Sequence, residues 1–100
     1  MIPNRETDDT LEDPAALIEW ARKNGELELD LSQGGLTELP ESIGQLTALQ
    51  TLNASGNKLS ELPPSIGLLT ALESLDVSNN KLAEVPQSIA DLPGLEWLDL

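Results

Sequence analysis

The chain has 100 residues, 18 of them acidic and 5 basic, giving a formal charge of −13, and it contains neither cysteine nor histidine. This composition removes disulfide frameworks, thiolate nucleophiles, zinc–thiolate sites and imidazole-based triads. Charge of this sign makes nucleic acid and anionic membrane surfaces poor partners. Leucine supplies 21 residues against five isoleucines and two valines, with two tryptophans and no phenylalanine or tyrosine. A single small domain can bury a core from such a chain, but almost entirely with one side-chain type.

In chain order, residues 1–12 (MIPNRETDDTLE) are polar and acidic, the reverse of a signal peptide's basic and then apolar opening. They are expected to form a flexible acidic leader on a cytoplasmic protein. No apolar run in the chain approaches the roughly 18 residues of a membrane span. Residues 13–25 carry the signals of a short amphipathic helix. Asp13 suits the N-cap and Pro14 the first helical position, while Asn24 and Gly25 suit the stop. Leu17, Ile18, Trp20 and Ala21 share one face, and Arg22 with Lys23 complements the helix dipole in the last turn. This helix is expected to cap the open end of the region that begins at residue 26.

From residue 26 a period of 23 residues governs the chain. Leu36, Leu59 and Leu82 obey it, as do Pro40, Pro63 and Pro86, and Ile43, Ile66 and Ile89. Three further leucine columns share it: Leu46, Leu69, Leu92; Leu49, Leu72, Leu95; and Leu52, Leu75, Leu98. Each unit contains a segment such as Leu49-x-x-Leu52-x-Ala54, whose end alternates like a strand with one buried face. A turn bearing Asn57 or Asn80 comes next, then an inward Leu59 or Leu82. Pro63 and Pro86 block a long helix on the return side, leaving room for a helical turn of 3₁₀ type around Ile66. One such coil cannot bury its leucines alone. Stacked coils close a continuous core and place their strands in a parallel sheet. Residues 26–31 (ELELDL) alternate as the strand of a degenerate first unit, with Glu26 and Gly34 replacing the leucine and asparagine of later units.

The pattern L-x-x-L-x-L-x-x-N-x-L within this period resembles the leucine-rich repeat family over residues 26–100. The resemblance implies an α/β fold: a right-handed solenoid of about four parallel strands with an N-terminal helical cap and an open C-terminal end. It also implies an asparagine ladder at Asn57 and Asn80. The opening ALIEWARKNGELELDLSQGGLTELP is similar to bacterial leucine-rich repeat proteins, including the repeats that precede the GTPase of Roco proteins. From that similarity the chain is expected to be a protein-interaction module, or alternatively the regulatory fragment of a larger Roco GTPase or kinase.

Two outward columns on the strands are the candidate binding face, Glu28, Thr51, Ser74 and Trp97 in one and Asp30, Asn53, Asp76 and Asp99 in the other. They suit a protein or peptide partner of neutral or basic character, with Trp97 as an aromatic anchor. No catalytic residue, cofactor or metal ligand set is expected. Asp30, Asp76 and Asp99 lie on separate strands of an open sheet, without the cage a cation needs. Gly56-Asn57-Lys58-Leu59-Ser60 lacks the spacing of a phosphate loop. The chain stops inside its last strand, so Ile89, Leu92, Leu95, Leu98 and Leu100 are expected at or beside an uncovered end. A longer parent or a homodimer through that end would cover them, and the latter would make the chain a self-assembling unit.

Overall fold

A computed structural model describes residues 13–100, so the expected leader at 1–12 lies outside the described residues. Helix α1 spans Pro14–Asn24. Asp13 begins it, its Oδ1 accepting the Ala15 N–H at 3.0 Å and its carbonyl accepting the Leu17 N–H at 3.0 Å. Gly25 ends it in the left-handed region at φ 61°, with the Glu26 N–H closing onto the Ala21 carbonyl at 3.0 Å. A Cβ would strain that conformation, which is why glycine serves as the stop. Leu17, Ile18 and Ala21 are buried and Trp20 packs against them at the core's edge. The helix lies beside the first return turn and closes the N-terminal end of the stack.

Four strands come after the helix, β1 Glu28–Asp30, β2 Thr51–Asn53, β3 Ser74–Asp76 and β4 Trp97–Asp99, paired in parallel in the order β1-β2-β3-β4. The register repeats the sequence period, so that Leu29, Leu52, Leu75 and Leu98 are lateral neighbours. Leu29, Leu52 and Leu75 are buried, whereas Leu98, on the last described strand, is 38 % exposed. The return side consists of 3₁₀ turns at Glu41–Gln45 and Pro64–Leu68 and a single α-turn, α2, at Gln87–Ala90. Each begins after an extended proline and inserts its isoleucine, Ile43, Ile66 or Ile89, into the core.

The first strand is shorter than the alternation over 26–31 suggested. β1 holds three residues, and Leu27 is 47 % exposed. The Leu27 carbonyl accepts both the Gln50 and Thr51 N–H groups, at 2.8 and 3.0 Å. The Gln50 carbonyl does the same for Glu73 and Ser74, and the Glu73 carbonyl for Glu96 and Trp97. Each of the first three coils therefore shares one carbonyl between two amides of the next just before its strand, and two successive positions there are turned from the core.

The turn after each strand carries the polar part of the core. Asn57 is 6 % exposed, and its Oδ1 accepts the Gly34 and Leu36 N–H groups at 2.9 and 3.0 Å. Its Nδ2 donates to the Leu31 and Ala54 carbonyls at 2.9 and 3.0 Å. Asn80 repeats the arrangement one coil later, accepting from Leu59 N–H and donating to the Ala54 and Val77 carbonyls. An amide is suited to this position because it offers acceptor and donors at once to backbone groups of two adjacent coils.

On the return side the coils meet through a glycine and a serine. A Cβ placed on Gly44 would lie 2.8 Å from the Ser65 Cβ, and one on Gly67 would lie 2.6 Å from the Ser88 Cβ. The close approach of the return turns at these points depends on the missing side chain.

Candidate functional site

The sheet's outer face is the broad polar surface that the coils build. Side chains alternate along each three-residue strand, so leucines at the centre point into the core and their neighbours point out. Pairing then aligns Glu28, Thr51, Ser74 and Trp97 in one row across the four strands. Asp30, Asn53, Asp76 and Asp99 form a second row in the same register. Thr51, Ser74, Asn53 and Asp76 are half-buried, while Glu28, Asp30 and Asp99 are exposed. Trp97 is 50 % exposed, on the edge strand beside the small Ser74.

The second row has a local task that the outward pattern alone did not assign. Asp30 Oδ1 accepts the backbone N–H and the hydroxyl of Ser32, at 2.8 and 2.5 Å. Asn53 Oδ1 does the same for Ser55 at 3.0 and 2.7 Å, and Asp76 Oδ1 for Ser78 at 3.0 and 2.6 Å. These side chains start the turn that leads into the asparagine ladder. The signal was present as Asp30-x-Ser32, Asn53-x-Ser55 and Asp76-x-Ser78, spaced by the repeat period. An uncharged Asn53 makes the same two bonds as its charged neighbours. The turn needs the Oδ1 atom and has no need of the negative charge.

A third outward row is not evident from the alternation: Leu27, Gln50, Glu73 and Glu96, the residues just before each strand. Glu73 and Glu96 are exposed, so the face carries six carboxylates, at Glu28, Asp30, Glu73, Asp76, Glu96 and Asp99. The cations among the described residues stand elsewhere. Arg22 and Lys23 are on α1, and Lys58 and Lys81 lie beyond the asparagine turns. The one ion pair among the described residues joins Arg22 to Glu19 at 2.6 Å on the exposed helix surface. The hydrogen bond from Arg22 holds the Glu19 carboxyl below its usual range and raises the guanidinium in turn.

Among the described residues no set of three carboxylates is gathered as a metal site would require, and no helix is long and apolar enough to cross a membrane. A groove of about 380 Å³ runs elsewhere, lined by Glu38, Glu61 and Glu84 with Pro63, Pro64 and Pro86.

At the C-terminal end, Ile89 and Leu92 are buried at 3 % and 6 % exposure by their own coil, and Leu95 packs partly on the core. Only Leu98 and Leu100, at 38 % and 61 %, are open among the five leucine and isoleucine positions expected to lie there.

Comparison with known proteins agrees with this architecture. The family described as Leucine-rich repeat region matches residues 27–100. A solved structure of a leucine-rich repeat protein from Leptospira interrogans superposes with a TM-score of 0.70 at 26 % identity. That match covers 100 % of this chain and 35 % of the Leptospira chain, so this chain spans about a third of that protein's length. No curated protein matches. With its repeat period, parallel sheet and asparagine ladder, the chain belongs to the leucine-rich repeat family, whose fold typically mediates protein–protein interaction.

Proposed function

We propose that the chain is a protein-binding module that takes a protein or peptide on the outer face of its sheet and performs no catalysis itself. The observation that carries this reading is the aligned outward rows on four paired strands, a preformed surface that the fold leaves open. Stacked coils hold that surface rigidly, so a partner does not have to bear the cost of ordering it. Its carboxylates favour a neutral or basic partner. The test is affinity capture with mass spectrometry, followed by direct binding of the captured protein to variants. Thr51→Arg and Ser74→Arg place bulk in the middle of the face without touching the core. Both should abolish binding at an unchanged unfolding midpoint, while Lys58→Ala, off the face, should leave it intact. Binding that survives both arginine variants would remove the sheet face from consideration.

The exposure of Leu98 and Leu100 favours a second reading, in which two copies pair through their β4 ends and the chain acts as a self-assembling unit. A further setting is a longer polypeptide such as a Roco GTPase or a kinase, with these repeats as its regulatory arm. The length of the Leptospira protein supports a longer setting for repeats of this kind.

A further inference from the structure

We propose that the β3–β4 end of the sheet face docks an arginine of an extended partner segment, its guanidinium stacked on Trp97 and paired with Asp76 and Asp99. This rests on the reading of the sheet face as the binding surface and names the chemistry it selects. The first observation is the placement of Trp97. It is 50 % exposed on the outermost strand, and its lateral neighbour in the row is Ser74, too small to cover an indole. The second is charge that the turn can form without. Asn53 makes the same two bonds through an amide, so the turn does not depend on the charges at Asp30 and Asp76, which stand on the face for a partner. The third is complementarity: among the described residues six carboxylates and no cation occupy the face, and Asp76 and Asp99 are lateral neighbours beside Trp97.

Strands of one sheet lie about 4.8 Å apart, so one planar guanidinium can address both Asp76 and Asp99. Arginine stacks on an indole face and forks onto carboxylates, whereas lysine offers a compact, strongly hydrated point charge. Glu28 and Asp30 lie three strand spacings further on, about 14 Å, which an extended chain covers in about four residues. The segment is thus a basic one with a leading arginine and a second cation about four residues away. A second copy of this chain is a poor occupant, because its own face carries the same sign of charge.

The test is fluorescence anisotropy of the full chain with three labelled Gly/Ser-based peptides, identical except that the two cationic positions hold arginine, lysine or the neutral isostere citrulline. The arginine peptide should bind about three- to tenfold more tightly than the lysine peptide, and the citrulline peptide should show no saturable binding. Trp97→Ala should weaken the arginine peptide by about three- to thirtyfold and erase its advantage over lysine. Trp97→Leu, which keeps an apolar side chain without the aromatic face, should do the same and guards against a purely structural effect. Asp76→Asn with Asp99→Asn should weaken binding and flatten its salt dependence. Asp76→Asn retains the Oδ1 that holds Ser78, so its unfolding midpoint should match the parent. Glu61→Gln with Glu84→Gln, in the proline-lined groove, should leave affinity unchanged.

Equal affinity for arginine and lysine peptides, insensitive to Trp97, overturns the proposal, as does binding that follows Glu61 and Glu84 instead of Asp76 and Asp99. Failure of the arginine peptide overturns it as well. In that case a captured partner still lost on Thr51→Arg keeps the sheet-face reading, and one unaffected by Thr51→Arg ends that reading too.

Discussion

Replacing Asn57 by alanine should be among the most damaging single changes to this chain, although it removes no apolar contact from the core. Asn57 is 6 % exposed and serves four backbone groups from two coils at 3.0 Å or less, the N–H of Gly34 and Leu36 and the carbonyls of Leu31 and Ala54. Alanine orphans three of the four, because the Ala54 carbonyl keeps its bond from Asn80 Nδ2 at 2.9 Å, and each buried orphan costs about 1–3 kcal/mol unless water reaches it. Gly34 is exposed and Leu36 half-buried, so water can restore part of the loss at the two N–H groups. The carbonyl of the buried Leu31 is less recoverable, which puts the expected cost at about 2–3 kcal/mol. For a domain of this size that lowers the melting temperature by about 8–24 °C.

The same change at Asn80 should cost less, about 1–2 kcal/mol, because Asn80 is only half-buried and accepts from a single N–H, that of Leu59. Asn57→Asp should be no milder than alanine at neutral pH. The carboxylate keeps the two acceptor contacts but turns an anionic oxygen toward the Leu31 and Ala54 carbonyls. Urea denaturation followed by far-UV circular dichroism measures all three variants against the parent. A cost for Asn57→Ala below about 1 kcal/mol, or a larger cost for Asn80→Ala, would refute the argument that the number of orphaned backbone groups and the burial of the asparagine itself set the penalty.

Two further outcomes are expected. Gly67→Ala should destabilise the chain by about 1–3 kcal/mol through its collision with Ser88, and Ser88→Gly in the same chain should recover most of the loss. Additive costs in that double-mutant cycle would show that the two return turns do not meet as tightly as the geometry requires. For the end of the stack, sedimentation or light scattering over a concentration series should reveal association that Leu98→Asp with Leu100→Asp abolishes. A parent chain that stays monomeric throughout such a series would remove the self-pairing reading.

Much of the fold was legible because repetition makes each inference testable against the next unit. The columns of Leu52, Leu75 and Leu98 and of Pro40, Pro63 and Pro86 predict both the parallel register and the short return turns. Asp13 and Gly25 bracket α1 because their local chemistry acts within the helix end itself. The boundaries were harder. Alternation over ELELDL reads as one strand, yet Leu27 turns outward because its carbonyl must serve two amides of the next coil, a constraint between coils that no local pattern shows. The outward rows with Trp97 at one end could be placed from alternation alone, but the third row through Glu73 and Glu96 could not.

Spacing along the chain is enough to specify the periodicity, the inward leucines and the identity of the residues available to the outer face. What those residues are free to do depends on the folded stack. Ile89 and Leu92 are covered by their own coil, leaving Leu98 and Leu100 as the open leucines of that last coil. The Asp30, Asn53 and Asp76 side chains hold the next turn through one oxygen, whether or not they are charged. The physical reason is the same in both cases. Burial and hydrogen-bond commitment arise between elements brought together by stacking, and a periodic pattern records which positions repeat without recording what lies against them.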